Sequence, residues 1–171
     1  MRGDSLDRFE RDIVDLLPRL RRFARALAGH VSDADDLVQL TIERALGRRG
    51  QWIAGSRLDS WMMQIMKNAW IDEARSRGRK RLVVGDEQQF KRVADPSVAS
   101  QDMRVEAIAI RQAMARLPDE QRLAVALVLV EGLSYAEAAE VLEIPAGTLT
   151  SRLVRGRMAL MAELAVQETG R

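Results

Sequence analysis

The length, composition and charge of the chain favour a helical protein and exclude several kinds of chemistry. It has 171 residues, of which 47% are hydrophobic and only 4% aromatic, enough for one medium domain or two small ones rich in helix-forming residues. The chain contains no cysteine and a single histidine, His30, so disulfides, thiolate metal sites and multi-histidine sites are excluded. The lack of a long apolar run or a signal peptide predicts a cytoplasmic protein, and we expect no metal, cofactor, membrane insertion or catalytic activity.

The small net charge of +2 conceals an uneven distribution along the chain. Residues 1–81 carry 17 Lys/Arg and 12 Asp/Glu, residues 82–104 carry 3 and 4, and residues 105–171 carry 7 and 9. The basic excess therefore lies in the first half. If a nucleic acid is the partner, the first half must contact it.

The first predicted helix covers residues 9–27, where apolar side chains recur at helical spacing. Pro18 lies inside this stretch, so we expect a kink there or a new helix from Leu17. His30 follows a glycine at the end of the pattern and is interpreted as a turn residue. The first element is therefore predicted to be one or two helices that end before residue 31.

The second predicted helix follows Ser32, which forms a capping signal with Asp35 and starts a helix that extends to about Leu46. Its buried side is predicted to consist of Ala34, Leu37, Val38, Thr41 and Ala45. Its other side carries Asp36, Gln39, Leu40 and Glu43. Acids paired in this way could serve acid–base chemistry or a divalent metal. Without histidine or a phosphate-binding loop, helix N-terminal charge or a protein contact explains them better.

The glycine-rich segment 47–57 is predicted to be a loop that contains Trp52 and three arginines, Arg57 among them. An aromatic ring among cations can stack on unpaired bases and neutralise their phosphates. Alternatively, Trp52 fills a gap in the core beneath the loop. The residues by themselves leave both interpretations open.

A long helix is predicted from Leu58 to about Arg75, with a polar stripe that contains no acid. The stripe is formed by Gln64, Lys67, Asn68, Ile71 and Arg75. The run 75–81 then places five cations in seven residues, among them Arg79, Lys80 and Arg81. A basic run that continues a basic helical stripe favours contact with phosphates over simple solvation.

Residues 82–102 show no sustained period and are interpreted as a flexible linker. A loop of this length is uncommon inside one domain, so we expect two domains, 1–81 and 103–171. The second is predicted to have a helix over 103–116, a break at Pro118, and an apolar helix that ends at Gly132. The fold class is therefore predicted to be all-α, with two small helical domains.

Residues 131–160 have the pattern of a helix-turn-helix. Ser134 and Glu137 form a capping box that starts a helix at Tyr135, and Pro145 follows the predicted turn. The packing side of the second helix consists of Leu149, Leu153, Gly156 and Leu160. Its polar side consists of Thr148, Ser151, Arg152 and Arg155 and contains no acid. Such a helix fits a major groove, where arginine contacts guanine edges or phosphates. A helical hairpin with a solvated basic face is the simpler alternative.

Three blocks of sequence resemble the extracytoplasmic-function sigma factors, the minimal members of the bacterial sigma-70 group. Block 33–39 resembles region 2.2, and block 60–75 resembles regions 2.3 and 2.4. The third block has two parts, 117–122 and 131–152, and resembles region 4. The resemblance covers about residues 9–81 and 103–163. It implies a transcription initiation factor that binds core RNA polymerase and confers promoter recognition and melting, with an anti-sigma partner and a monomeric free state.

The resemblance also implies roles for individual residues. The polymerase clamp helices would be contacted by Asp35, Asp36, Gln39 and Glu43. The single-stranded −10 element would be captured and melted by Trp52, Arg57, Gln64, Lys67, Asn68, Ile71, Arg75, Arg79, Lys80 and Arg81. The double-stranded −35 element would be read by Thr148, Thr150, Ser151, Arg152 and Arg155.

Two positions depart from the family pattern. Thr150 stands where the family commonly has Lys or Arg, and Glu143 stands where it commonly has Gly. The first weakens the cationic character of the recognition helix, and the second puts a non-glycine at the turn. Two alternatives therefore stay open: a sigma mimic that titrates an anti-sigma factor, and a freestanding helix-turn-helix regulator that dimerises.

Overall fold

A computed structural model describes the backbone of residues 2–83 and 101–169, and the side chains of residues 8–76, 103 and 105–166. The helices are α1 (Arg2–Leu27), α2 (Val31–Gly47), α3 (Leu58–Val83), α4 (Gln101–Arg116), α5 (Asp119–Val125), α6 (Tyr135–Leu142) and α7 (Ala146–Thr169). Within those ranges the chain forms no strand, so the all-α prediction is confirmed. Most of the predicted linker, residues 84–100, lies outside the described part.

The first two helices differ from the prediction at their ends. Helix α1 runs unbroken through Pro18, so no new helix begins at Leu17. Leu20 and Ile13 are both buried and hold the two sides of the proline on one core. Helix α2 begins at Val31 and not after Ser32, because the Ala34 N–H already bonds the His30 carbonyl. The five residues of α2 that were predicted to be buried are all buried, so the buried side predicted from its helical periodicity is confirmed.

Helix α3 continues eight residues beyond the predicted end near Arg75, to Val83. Arginine and lysine are strong helix formers, and the one glycine in this stretch is too weak a breaker to stop the helix. The basic run is therefore helical. The side chains of Arg79, Lys80 and Arg81 lie outside the described residues.

The helix-turn-helix forms as the sequence predicts. The Ser134 hydroxyl accepts from the Glu137 N–H at 3.2 Å, and the Glu137 carboxylate accepts from the Ser134 N–H at 2.8 Å. Helix α7 crosses α5 closely at Gly156, where a Cβ atom would lie 2.8 Å from Val125 Cγ2. A side chain at position 156 would therefore push the two helices apart. The apolar segment before α6 ends in a π-helical turn, Ala126–Val130.

The two halves of the chain share one hydrophobic core. Buried side chains of α1, α2 and α3 are continuous with those of α5, α6 and α7. Helix α1 contacts α4, α5 and the π-helical turn, and α3 contacts α6. The sequence predicted two helical units and a tether, but nothing in its local patterns indicated that the units pack against each other.

Two polar groups stabilise the junction between the halves. The Glu131 carboxylate is fully buried and accepts hydrogen bonds from Arg19 Nε at 3.2 Å and Arg22 Nε at 2.9 Å. Arg122 donates to the carbonyl of Leu27 at 2.8 Å, and its guanidinium lies 5.4 Å from the ring centre of Trp70. A buried carboxylate is tolerated only where such partners satisfy it.

Candidate nucleic-acid and protein-binding surfaces

The polar face of α2 is open to solvent. Its four predicted residues, Asp35, Asp36, Gln39 and Glu43, are all exposed. Gln39 Nε2 donates to Glu43 Oε1 at 3.1 Å, which fixes the amide beside the carboxylate. A groove of about 530 Å³ between α1 and α2 borders this face and is lined by Leu17, Arg21, Arg25, Asp35, Val38, Gln39, Ile42 and Glu43. This face combines an exposed row of acids and an amide with a groove that is partly lined by apolar side chains. Such a surface is suited to binding another protein.

The loop before α3 closes over an aromatic cluster. Trp52 is half-buried against Phe9, with ring centres 5.2 Å apart, and Arg49 lies 5.0 Å above the Phe9 ring. Of the two interpretations left open for Trp52, its position in this structure matches the one in which it fills the gap beneath the loop. A cleft of about 600 Å³ remains between α1 and the loop, lined in part by Arg8, Trp52, Ser56 and Asp59.

Asp59 organises the cations at the start of α3. Its carboxylate accepts hydrogen bonds from Arg57 Nη2 at 2.8 Å, Arg19 Nη1 at 2.7 Å and the Ser60 N–H at 2.8 Å. Burial acts to raise the pKa of Asp59, but these donors outweigh it and lower the pKa to about 2. Asp59 therefore stays ionised and fixes the Arg57 guanidinium against its own carboxylate, which lines the cleft.

Replacing Asp59 with Asn should lower the free energy of unfolding by about 1 kcal/mol at pH 7, a value reduced for the partial exposure of the pair. The folded pKa of about 2 lies below the ordinary value of 3.8, so the ionised carboxylate stabilises the fold above about pH 4. That contribution is lost as the pH falls from 4 towards 2. Urea denaturation of the wild type and of Asp59→Asn between pH 3 and 7 measures the difference in unfolding free energy. A difference that stays constant across this range would contradict the assignment.

The predicted polar stripe of α3 is only partly on the surface. Arg75 is exposed, whereas Gln64, Asn68 and Ile71 are half-buried. Lys67, predicted to lie on the open face, is buried with 4% of its surface exposed. Helix α6 packs across α3 here, and Lys67 Nζ donates to Glu143 Oε2 at 3.0 Å. The sequence could not indicate this because the acid lies 76 residues further along the chain.

The polar side of α7, predicted to read the −35 element, is accessible. Thr150, Ser151 and Arg155 are exposed, and Thr148 and Arg152 are half-buried. Arg155 donates to the Ser151 hydroxyl at 3.2 Å, and Arg152 pairs with Glu120 of α5 at 2.9 Å. Thr150 donates to the Ala146 carbonyl at 2.9 Å. On the packing side Leu149, Leu153 and Gly156 are buried as predicted, and Leu160 is half-buried.

The turn between α6 and α7 is built on an unfavourable backbone conformation. Glu143 has φ 57° and ψ 42° and is the one non-glycine residue with positive φ in the described part of the chain. This left-handed conformation costs a non-glycine residue roughly 1–2 kcal/mol. The hydrogen bond from Lys67 lowers the pKa of Glu143. The glutamate departs from the family pattern, but no local sequence signal indicates its partner, because Lys67 lies 76 residues earlier in the chain.

Fold and surfaces together define a helix-turn-helix DNA-binding protein with a second cationic helix and a separate, exposed acidic face. No group of three or more His, Cys, Asp or Glu side chains in residues 8–76 and 105–166 is placed to hold a metal. Among the described helices none is long and apolar enough to cross a bilayer.

Comparison with known proteins agrees with this architecture. Residues 107–160 match the model of "Sigma-70, region 4", and residues 13–67 match the "Sigma2 domain of PhyR". The chain is 36% identical over 160 residues to the ECF RNA polymerase sigma factor EcfG of Rhodopseudomonas palustris, covering 94% of this chain and 87% of that protein. It is 28% identical to SigW of Bacillus subtilis, covering 90% and 87% of the two chains. The chain belongs to the extracytoplasmic-function sigma factors of the sigma-70 family.

Solved structures share the fold. The sigma factor RpoE of Bartonella quintana, solved in complex with the anti-sigma factor NepR, superposes with a TM-score of 0.80 at 30% identity over 92% of this chain and 97% of that one. CnrH, solved with the cytosolic domain of CnrY, superposes with a TM-score of 0.66 at 24% identity, over 92% of this chain and 90% of that one. The arrangement of helices is therefore that of sigma factors.

Proposed function

We propose that this chain directs core RNA polymerase to promoters and opens them, with its two halves reading different forms of DNA. Residues 1–81 bind the polymerase and the −10 element, residues 103–171 bind the −35 element, and residues 82–102 connect them. The observation that carries the proposal is the exposed face of α7, which presents hydroxyls and arginines in a helix-turn-helix. Membership of the sigma family supports this division.

The −35 element is bound as duplex DNA in the major groove. Arg152 and Arg155 contact guanine edges or phosphates, and Thr148, Thr150 and Ser151 contribute hydroxyl donors. Thr150 supplies no charge, so the affinity of this half depends on two arginines. We infer that −35 binding is weak until polymerase tethers the chain.

The −10 element is bound as a separated strand. Asn68 and the cleft beside Trp52 and Arg57 receive an extruded base, and Gln64, Lys67, Ile71 and Arg75 follow the strand along α3. The run Arg79, Lys80 and Arg81 extends this path with positive charge. Extruding a base costs a few kcal/mol, which stacking and phosphate contacts offset. The chain itself carries no catalytic group in this proposal, because polymerase performs the synthesis.

The protein partners use other surfaces. The α2 face of Asp35, Asp36, Gln39 and Glu43 docks on the clamp helices of the largest polymerase subunit. An anti-sigma factor binds the chain when transcription is repressed, as supported by the likeness to RpoE, which was solved with NepR. The protein acts in the cytoplasm, and we expect the free chain to be a monomer.

Run-off transcription tests the proposal. Purified core polymerase should produce specific transcripts from sheared host DNA when the chain is added and none without it. Changing both Asp36 and Glu43 to Ala should abolish these transcripts and co-elution with core, since it removes the acids of the docking face. Changing Glu140 and Glu163 to Ala removes the same charge elsewhere and should leave both intact.

Two other results would favour the alternatives. A sigma mimic would bind an anti-sigma factor without supporting any transcript. A freestanding regulator would bind duplex DNA without polymerase and elute as a dimer in gel filtration.

A further inference from the structure

Arg152, on the side of α7 predicted to read the −35 element, is held by a side chain of a neighbouring helix. Its Nη2 lies 2.9 Å from Glu120 Oε1 of α5, and the exposed fractions of the arginine and glutamate side chains are 22% and 68%. The two helices cross closely, since a Cβ atom at Gly156 would lie 2.8 Å from Val125 Cγ2 and 3.1 Å from the Gln121 carbonyl oxygen. This close crossing fixes the place of the carboxylate relative to the arginine.

A carboxylate at this place has a cost for DNA binding. DNA phosphates repel it, and the polar side predicted for α7 carries no acid of its own. An ion pair with this much solvent contact contributes little to the stability of the fold. Glu120 therefore reaches this side of α7 from α5 although neither attraction to DNA nor folding favours a negative charge there.

We propose that Glu120 is a positioning residue, which orients the Arg152 guanidinium to read a guanine in the major groove of the −35 element. The inference rests on the proposed −35 role of Arg152. A guanidinium presents several N–H donors in a planar fork, so a carboxylate at one terminal nitrogen leaves other donors for the acceptors of a guanine edge. The carboxylate also offsets the charge of the guanidinium and lowers its attraction to phosphates, which favours contact with a base.

Arg155 is held in a different way. Its Nε donates to the Ser151 carbonyl at 3.3 Å, and its Nη2 donates to the Ser151 hydroxyl at 3.2 Å. Both acceptors are neutral and belong to the same helix, and the Arg155 side chain is exposed. Arg155 therefore keeps its charge for phosphates. The two arginines have different tasks in this proposal: Arg152 selects a base, and Arg155 supplies affinity that does not depend on sequence.

Transcription by core polymerase from a pool of barcoded promoters, randomised over the −35 element, tests the role of Glu120. Sequencing the barcodes of the transcripts gives the base preference at each position. Glu120→Ala should relax the preference for guanine at one base pair by about 10-fold, and Arg152→Ala should relax it at the same base pair. Asp119→Ala removes the same charge from the same turn of α5 and should leave every preference intact.

A binding measurement separates orientation from charge. The affinity of the full-length chain for a random duplex should rise by a similar factor in Glu120→Ala and Asp119→Ala, because each variant removes one negative charge that repels phosphates. Glu120→Gln retains an acceptor for Arg152 without the charge and should restore part of the base preference. Urea unfolding verifies that each variant is folded.

The double variant Glu120→Ala/Arg152→Ala shows whether the glutamate acts through the arginine. Its base preferences should match those of Arg152→Ala, because a positioning residue has no effect once its target is gone. A further loss in the double variant would mean that Glu120 contacts DNA itself, and unchanged preferences in Glu120→Ala would mean that the pair has no part in recognition. Either result overturns the proposal. Unchanged preferences in Arg152→Ala would remove the −35 role of Arg152 as well, whereas a wild type that yields no transcripts would contradict the proposed function.

Discussion

Replacing Arg152 and Arg155 with alanine should lower transcription from a −35-dependent promoter by about 30-fold or more. Each arginine that contacts a base edge contributes about 1–3 kcal/mol, so the pair contributes at least about 2 kcal/mol, which corresponds to roughly 30-fold. Both lie on the accessible face of α7, and Thr150 adds no charge that could compensate. Multiple-round transcription with saturating core polymerase measures the change.

Arg116 and Arg157 provide a charge-matched control for this pair. Both belong to the second half and are exposed, and Arg116 pairs with Glu163 away from the recognition face. Changing both to alanine removes the same charge but should reduce transcription only slightly. Binding of core polymerase should be unaltered in both double variants. Equal losses in the two would mean that α7 contributes only general charge, and the −35 assignment would be wrong.

Replacing Arg122 with Met should lower the free energy of unfolding by about 3 kcal/mol and the melting temperature by roughly 10 °C. The guanidinium donates to the carbonyls of Leu27, Ala115 and Leu117. These carbonyls lie at or just beyond the ends of α1 and α4, where no helical N–H is available. Methionine preserves the length of the side chain but leaves those acceptors without a donor. Thermal and urea unfolding measure the loss.

Arg116→Met is the matched control for Arg122→Met. Arg116 is 57% exposed and bonds Glu163 at 2.7 Å, so its removal should cost less than about 1 kcal/mol. Arg122→Lys retains the charge but lacks the planar guanidinium group. Its loss of unfolding free energy should therefore lie between the losses of the two methionine variants. If both methionine variants melt at the same temperature, the three carbonyls find other donors and Arg122 does not join the halves.

Arg122 also shows why parts of the structure were predictable and others were not. Residues 117–122 resemble a motif of the sigma family, but the resemblance alone does not say which groups Arg122 contacts. Leu27 precedes Arg122 by 95 residues. A hydrogen bond over that separation leaves no periodic trace in the sequence.

Sequence alone determined the order of the helices but not all of their ends, together with the capping box at Ser134, the buried side of α2 and the polar side of α7. Each of these follows from side chains within a few turns of one another, where helical geometry fixes which residues share a face. Only the tertiary structure decided that Lys67 is buried, that Glu131 lies between two arginines and that Glu143 faces α3. Those outcomes depend on how α1 and α3 pack against the second half. Packing between residues that are far apart in sequence is decided by the combined shape of the two surfaces that meet, which no local pattern records.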